Sequence, residues 1–267
     1  VLVALHSTLV RKKLAAAALA GLLAGLVLAW AQIIPALAVE SDAPWAAWVR
    51  WVVAGVLLMV IVTATAAMLT RMTFLELSKM RPARWSEGAV GLTGTTCRIA
   101  VAQLLTAGVA LAVVVLLRLL PGWLLGREAG APGQAFASGV AALGMIAEVI
   151  LWPVIGFSLL LPPILVVEDC SVGQALGHWL RLLRTDLGRV FLNEALALGL
   201  GLAATLLLAL PWLGLFTYQP EPRLASAVVF TRSVLAGLAA APLLAYLMVA
   251  NVFIYINLRY ESAPGRR

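Results

Sequence analysis

One acid and one base lie inside apolar segments of this chain, and they are the residues best placed to do chemistry there. Glu148 stands about ten residues, or roughly 15 Å of helix, from the end of its segment. Arg232 lies about six residues inside the last apolar segment, and its long side chain can reach deeper or extend outward. Each charge placed in lipid costs at least about 2.5 kcal/mol, so each needs a partner or a task.

The similar depths predict that Glu148 and Arg232 form an intramembrane polar pair. Three interpretations of Glu148 remain open. It is a structural partner of Arg232 or a protonated core acid, a proton or substrate relay, or a contact with a partner protein or lipid. Without a partner the acid is expected to be protonated, because a low dielectric disfavours the carboxylate. A relay also requires that water reach the acid.

Three prolines near this acid predict breaks in its helix. Pro153 removes one backbone hydrogen bond just past Glu148, and Pro162 and Pro163 end or bend the helix near its other end. Broken helices form binding sites in transporters. They also occur in plain bundles, where a side chain such as Ser158 satisfies the freed carbonyl groups. The prolines alone therefore leave both functions open.

The residue pattern offers no catalytic centre and no metal or cofactor site. No nucleophile has an adjacent base, no glycine-rich phosphate loop occurs, and no two acids have hydrolase spacing. Cys97 and Cys170 form no CxxC motif, and His6 and His178 have no metal-ligand residues beside them. We therefore predict no catalytic residues, no metal and no cofactor, and we interpret both cysteines as small apolar residues.

Composition predicts the elements that must hold these residues. The 267 residues are 63% hydrophobic and 12% charged, against roughly 45 to 50% apolar and 25% charged residues in soluble domains. Apolar runs of about 20 residues can each cross a hydrocarbon layer about 30 Å thick as a helix, and barrel-type alternation does not occur. No cleavable signal sequence is expected. The sequence predicts an all-α integral membrane protein with a single domain over residues 1–267.

Six transmembrane helices are predicted, and together they form one bundle. They cover residues 14–37, 51–70, 99–120, 138–167, 190–215 and 227–257. An even number of spans places both termini on the same side of the membrane. The distribution of the 19 lysines and arginines predicts that this side is cytoplasmic. On the opposite side the basic residues are Arg50, Arg118, Arg127, Arg223 and Arg232.

The cytoplasmic connections are predicted to contain amphipathic helices that lie at the membrane surface. After Ser171, apolar residues from Val172 to Leu187 recur at helical spacing, and basic residues lie off this face or at its end. The basic residues of this interfacial helix are Arg181, Arg184 and Arg189. With a net charge of +7, the chain is expected to contact anionic lipid head groups at its cytoplasmic face, and no nucleic acid.

Two segments resemble a known group of proteins. The stretch QALGHWLRLLRTDLGRVF (residues 174–191) precedes the fifth span, and VFIYINLRYES (residues 252–262) contains Tyr255, Leu258, Arg259 and Glu261. They resemble bacterial six-span membrane proteins similar to the glycerophosphoryl diester phosphodiesterase membrane domain and its uncharacterised relatives. The resemblance implies a six-span fold in a bacterial cytoplasmic membrane. It implies no catalytic residues, because catalysis in that group belongs to a soluble phosphodiesterase part that these residues do not include.

Other small and polar residues in the spans have structural interpretations. Glu194 is expected at the start of the fifth span, where the helix dipole and Arg189 would stabilise it. Asn251 is expected to bond to a neighbouring helix. The segments GLLAG (residues 21–25) and GLGLAA (residues 199–204) permit close helix approach, within the bundle or with a partner.

Three functions are consistent with this pattern. We expect a non-enzymatic membrane scaffold or accessory subunit of a larger complex, with lipids and membrane proteins as its partners. The alternative is a permease-like component that moves a lipid or small solute near Glu148 and the Pro153 kink. A membrane-embedded enzyme acting on lipid head groups is third, because it needs dispersed residues to converge in the fold. A hydrated cavity at Glu148 favours transport, and a dry Glu148 bonded to Arg232 favours the scaffold.

Overall fold

The computed structural model of the chain describes residues 4, 7–8, 10–37, 44–125, 138–139, 142, 144–145, 158–212, 214 and 224–261. Throughout these residues the regular elements are helices, without a strand. The α-helices with defined bounds are α1 (Arg11–Leu37), α2 (Pro44–Lys79), α3 (Trp85–Ala89), α4 (Leu92–Leu125), α5 (Leu161–Glu168), α6 (Val172–Ala209) and α7 (Ala225–Glu261). A 3-10 turn, Ser158–Leu160, precedes α5, and a second, Leu210–Trp212, follows α6.

Five of these helices contain a segment that is long and apolar enough to cross a membrane. The segments are Arg11–Ile33, Trp48–Lys79, Leu92–Leu116, Val172–Leu207 and Ala225–Tyr260. The chain is therefore an all-helical, multi-pass membrane protein, as its composition predicts. Most of the predicted fourth span lies outside the described residues, which contain its last part as Ser158–Glu168.

The central pair of the bundle is formed by α1 and α7, which share the most extensive contact between any two described helices. Glycines make this approach possible. A Cβ atom built on Gly25 would lie only 2.7 Å from the carbonyl oxygen of Ser233, and Gly21 and Gly237 face each other just as closely. The GLLAG segment thus packs within the bundle, against α7, as small residues do between membrane helices.

Two apolar clusters hold the remaining helices around this pair. One cluster joins α1, α2 and α7 through residues such as Ala17, Leu69 and Met248. The larger cluster joins α4, α5, α6 and α7. Among the five spans that the structure describes, the one in α4 is the least enclosed, with 17% of its most apolar stretch buried against 50% for that of α7. The last helix is therefore the core of the bundle, while α4 lies at its edge.

Threonines inside the spans bond to their own helices. In α2, Thr63 donates to the Met59 carbonyl at 2.7 Å, and Thr65 donates to the Ile61 carbonyl at 2.7 Å. Thr73 makes the same bond to Leu69 at 2.8 Å. These bonds satisfy hydroxyl groups in apolar surroundings without another helix. These three threonines therefore need no functional role, whereas Thr70 of the same helix has a buried hydroxyl oxygen without a partner.

The segment predicted as an interfacial helix and the predicted fifth span follow each other in the structure as two helical segments joined at a kink, and α6 denotes both together. Helix α6 begins after Ser171, whose side chain accepts from the backbone N–H of Gln174, and the Gln174 side chain accepts in turn from the Ser171 N–H. This capping box satisfies backbone donors at the first turn. Within α6, Asp186 has a non-helical backbone, with φ −134° and ψ 32°. The kink at Asp186 divides α6 into a first segment and a longer apolar segment.

Candidate functional site

The charged side chains gather where α1, α4 and α6 begin and where α2, α5 and α7 end. We call this part of the bundle the basic end. At its centre the carboxylate of Glu168, the last residue of α5, accepts a hydrogen bond from the Tyr255 hydroxyl at 2.5 Å. The same oxygen forms a close ion pair with the Arg259 guanidinium. Tyr255 and Arg259 are one turn apart on α7, so Glu168 ties α5 to α7.

A cavity of about 370 Å³ opens beside this junction. Its polar lining consists of Glu168, His178, Arg181, Thr185, Asp186, Tyr255 and Arg259. One wall comes from the first segment of α6, and the opposite wall comes from the ends of α5 and α7. This volume is within the range of about 300 to 1,000 Å³ that small-molecule sites have in proteins.

The charged side chains that line the cavity differ in how many hydrogen bonds and ion pairs they form with other protein groups. Glu168 is 16% exposed and is held by both Tyr255 and Arg259. Asp186 has one oxygen 3.0 Å from the Thr185 hydroxyl, which can donate to it. In the part of the chain that the structure describes, His178 and Arg181 form no ion pair. The cavity therefore presents an unpaired guanidinium and a lightly bound carboxylate.

A second pair at the basic end joins α1 to α2. Lys13 has no exposed surface, and its Nζ lies 2.6 Å from Oε2 of Glu76 and 2.8 Å from the Ser7 hydroxyl. A lysine beside a serine resembles the base and nucleophile of a Ser-Lys hydrolase. An ion pair with a carboxylate requires the ammonium form, however, which has no lone pair to accept the serine proton. The contact is therefore structural.

The connection between α2 and α4 is held by a smaller group. Arg81 donates to Glu87 at 2.5 Å, and the backbone N–H of Arg84 donates to the same carboxylate at 2.9 Å. The hydrogen bond from Arg81, followed by that from Arg84, lowers the pKa of Glu87 to about 2. Lys12 on α1 donates to the carbonyl of Ala83 at 3.2 Å, which attaches this connection to the bundle.

Cys170 does not offer a reactive thiolate. Cys97 is exposed on α4, and Cys170 is partly buried between α5 and α6. Burial raises the pKa of the Cys170 thiol, and the nearby carboxylate of Glu168 raises it further. A thiol with a raised pKa stays protonated at neutral pH and is a poor nucleophile. Arg98 instead pairs with Asp169 at 3.1 Å, beside this cysteine.

The structure places some of the predicted polar residues and leaves others undescribed. Glu148 and Pro153 lie outside the described residues, so the pair with Arg232 stays a prediction. Arg232 is partly buried near the start of α7. Pro162 and Pro163 are buried in the first turn of α5, directly after the 3-10 turn. That turn tolerates proline, because several of its backbone N–H groups have no helical partner.

The basic residues predicted for the interfacial helix all lie on α6. Arg181 and Arg184 are exposed in its first segment, and Arg189 is exposed just past the Asp186 kink. Only Arg181 lines the cavity. Of the three predicted arginines, Arg181 therefore differs from Arg184 and Arg189 in its contact with the cavity.

The expected position of Glu194 at a helix start is wrong. The long segment of α6 starts directly after the kink at Asp186, so Glu194 lies about two turns past that start, beyond the first turn in which the helix dipole acts. Only 7% of the residue is exposed, and its buried Oε1 has no hydrogen-bond partner. Val190 and Ala197 are buried on the same helical face, which packs on α7. In the sequence, Val190, Glu194 and Ala197 stand at positions i, i+4 and i+7, and this spacing could have placed Glu194 on an apolar helical face.

Asn251 of α7 carries a second buried polar atom at the same depth. Gly201 of α6 packs against Leu243 and Tyr246 of α7, which sets the register of these antiparallel helices. Two helical turns toward the basic end, this register brings Glu194 level with Asn251. Asn251 donates to the Leu159 carbonyl at 3.3 Å, as expected for a bond to a neighbouring element, while its Oδ1 is buried without a partner.

No group of three or more His, Cys, Asp and Glu residues among those described could hold a metal ion. The chain matches no protein-family model, no curated protein and no solved structure.

Proposed function

We propose that this chain is a non-enzymatic membrane scaffold or accessory subunit of a larger membrane complex. One observation carries the proposal: ionised side chains at the basic end bind one another across helices. Glu76 holds Lys13, and Glu168 holds Arg259 and Tyr255. These contacts use charged groups to fix the positions of helices, which is what a scaffold requires.

The proposal includes a topology of six spans in a bacterial cytoplasmic membrane, with both termini in the cytoplasm. The concentration of arginine and lysine at the basic end supports a cytoplasmic position for it. The resemblance to bacterial six-span proteins supports the number of spans. The first segment of α6 then lies among the lipid head groups, where exposed Arg184 contacts anionic lipids while Arg181 lines the cavity.

The scaffold proposal is tested by isolating the chain with its native lipids and neighbours. The tagged chain is extracted from its own host membrane with a detergent-free polymer and is weighed by native mass spectrometry. We expect one reproducible assembly that contains a second membrane protein at fixed stoichiometry. Recovery of the 28.2 kDa chain by itself as a monodisperse particle would contradict the proposal.

A permease-like component is the second candidate, and Glu194 favours it. A buried acid within a membrane helix is costly and often marks a path for ions or solutes. The unpaired oxygens of Glu194 and Asn251 lie at the same depth between α6 and α7. Glu194 and Asn251 could therefore line a path for ions or solutes, the role that the alternative interpretation gives to Glu148 in the predicted fourth span.

Water access to Glu194 separates the two candidates. Cys97 and Cys170 are replaced by alanine, a cysteine is introduced by Glu194→Cys, and proteoliposomes are treated with a membrane-impermeant thiol reagent. A permease-like path predicts labelling from at least one side, and it predicts solute or proton flux that Glu194→Gln abolishes. Absence of both labelling and flux means that Glu194 is dry, as the scaffold proposal expects.

A further inference from the structure

We infer that the cavity at the basic end binds the head group of an amine-bearing zwitterionic phospholipid, of the phosphoethanolamine type. The inference rests on the proposed position of the basic end at the membrane surface and names the lipid that this end would select. Four observations carry it. They are the shared cavity, the distribution of its charges, the kink in α6 and the apolar surface beside it.

Donors for a phosphate come from one face of α6. His178 and Arg181 are three residues apart, so their side chains share a face, and both line the cavity. Arginine binds a phosphate through two parallel hydrogen bonds, and a ring N–H of the histidine adds a third donor. Arg181 and His178 are exposed toward this space.

An acceptor for an ammonium group comes from the kink. The non-helical backbone at Asp186 takes this residue out of the regular helical path, and its carboxylate lines the same cavity as Arg181. Thr185 supplies one possible donor to this carboxylate, which leaves acceptor positions for a ligand. A primary ammonium group can donate hydrogen bonds to Asp186, whereas a quaternary choline group cannot.

The charge balance of the cavity favours a zwitterion over an anion. Glu168 binds Arg259 and Tyr255, and the Glu168–Arg259 ion pair adds little net charge to the cavity. Arg181 and Asp186 remain, one of each sign. An anionic head group without an amine would place its charge near the Asp186 carboxylate with no compensating group. A phosphate ester that carries an ammonium group matches both residues.

The surroundings of the cavity favour a lipid over a soluble phosphate ester. Directly past the kink, α6 exposes Leu187 and Phe191, at 54% and 53%. Within the proposed topology these residues meet the acyl region of the membrane. A lipid bound by its head group at Arg181 and Asp186 can therefore lay its chains along α6. A soluble ligand makes no use of this surface.

Lipid titration in detergent, read by native mass spectrometry, tests the inference. The full chain is titrated separately with phosphatidylethanolamine, phosphatidylcholine and phosphatidylglycerol of identical acyl chains. The wild type is expected to bind one phosphatidylethanolamine with a Kd about tenfold below those of the other two lipids, which corresponds to roughly one good charge-assisted hydrogen bond. Equal Kd values for the three lipids would overturn the inference.

Two variants and one matched control assign the roles. Arg181→Gln should raise the Kd for phosphatidylethanolamine about tenfold. Arg184→Gln, one turn along on the same segment but outside the cavity, should leave it unchanged. Asp186→Asn should abolish the preference for phosphatidylethanolamine over phosphatidylglycerol. An equal effect of Arg184→Gln and Arg181→Gln, or an unchanged preference in Asp186→Asn, would contradict the assignment.

A soluble arm separates the two sources of the same head group. Phosphoethanolamine is added to the chain in nanodiscs of phosphatidylcholine only, and its binding is measured by calorimetry. We expect binding weaker than that of the lipid, because no acyl chain contacts α6. Binding as tight as that of the lipid would reject the lipid assignment. These results do not depend on a protein partner, so failure of the lipid site and failure of the scaffold proposal remain distinguishable.

Discussion

Lys13 and Glu76 join the first two long helices through a 2.6 Å ion pair, and the Lys13 side chain has no exposed surface. Lys13 is the third residue of α1 and lies beside the end of α2. Its ammonium also donates to Ser7. Both partners of a buried ion pair lose hydration, and the pair is retained only if its geometry is good. The contact fixes α2 against α1 at the basic end.

Removal of the lysine charge should therefore destabilise the bundle. Lys13→Met leaves the Glu76 carboxylate largely buried without its partner. We expect a loss of about 3 kcal/mol in the free energy of unfolding, at the low end for a broken buried pair, since Glu76 keeps 16% exposure. Reversible unfolding in mixed micelles, followed by circular dichroism, measures the loss.

Two further variants check the cause of this loss. Lys79→Met is the matched control, because Lys79 is 50% exposed and 3.9 Å from Glu87. Its effect should stay within about 0.5 kcal/mol. The double variant Lys13→Met with Glu76→Leu should recover part of the stability, since no unpaired charge remains. Additive losses in the double variant would argue against the pair.

The glycines between α1 and α7 should tolerate no side chain. Gly237→Ala places a methyl group against the backbone of Gly21 and Gly25, neither of which can move aside without separating the helices. We expect a loss of about 1 to 3 kcal/mol from overpacking. Gly108→Ala on α4 is the control, because no atom lies within 4 Å of its added Cβ. That change should be neutral or slightly stabilising, and equal melting temperatures for both variants would contradict the packing.

The hydroxyl of Tyr255 should matter, while that of Tyr246 should not. Both tyrosines are buried on α7 at 3% exposure. Tyr255 donates to Glu168, whereas the hydroxyl of Tyr246 has no partner. Tyr255→Phe should lower stability by about 1.5 to 3 kcal/mol, the range for a hydrogen bond to a charged group. Tyr246→Phe should cost nothing in the same unfolding assay, and a larger loss there would contradict the assigned contacts.

The α2–α4 connection should depend on pH through Glu87. Its pKa is lowered from 4.5 to about 2 by Arg81 and the Arg84 backbone, so the folded state favours the ionised form. The stabilisation is complete above pH 4.5 and is lost as the pH falls through about 2. Hydrogen exchange of residues 80–91 should therefore rise in the wild type relative to Glu87→Gln as the pH falls over this range. A constant ratio of the two exchange rates would show that Glu87 does not hold the connection.

The helices could be predicted because each depends on a local pattern. Every residue of an apolar run contributes to the same preference for lipid, so the spans near 14–37 and 227–257 match α1 and α7 closely. Polar helix ends were harder to predict. Helix α2 continues past residue 70 to Lys79, where Glu76 pairs with Lys13. Helix α6 consists of two helical segments that meet at the non-helical Asp186, a few residues before the predicted start of the fifth span at residue 190.

The polar contacts could be predicted only in part. Ser171 and Gln174 are three residues apart, so their capping box follows from the sequence. Glu194 was assigned to a helix start from its place near the predicted span boundary. That inference failed because the long segment of α6 begins directly after Asp186, about two turns before Glu194. The Glu148–Arg232 pair stays a prediction, because residue 148 lies outside the described residues.

The sequence by itself determined that this protein is helical and membrane-spanning, because a long apolar chain in lipid must satisfy its own backbone hydrogen bonds. Only the tertiary structure decided which charged groups meet. Glu168 and Tyr255 are 87 residues apart, and their contact depends on the depth and rotation of α5 and α7. Helical periodicity defines a face, but it does not say which helix covers that face. The cavity between Arg181, Asp186 and Arg259 arises from that choice of neighbours.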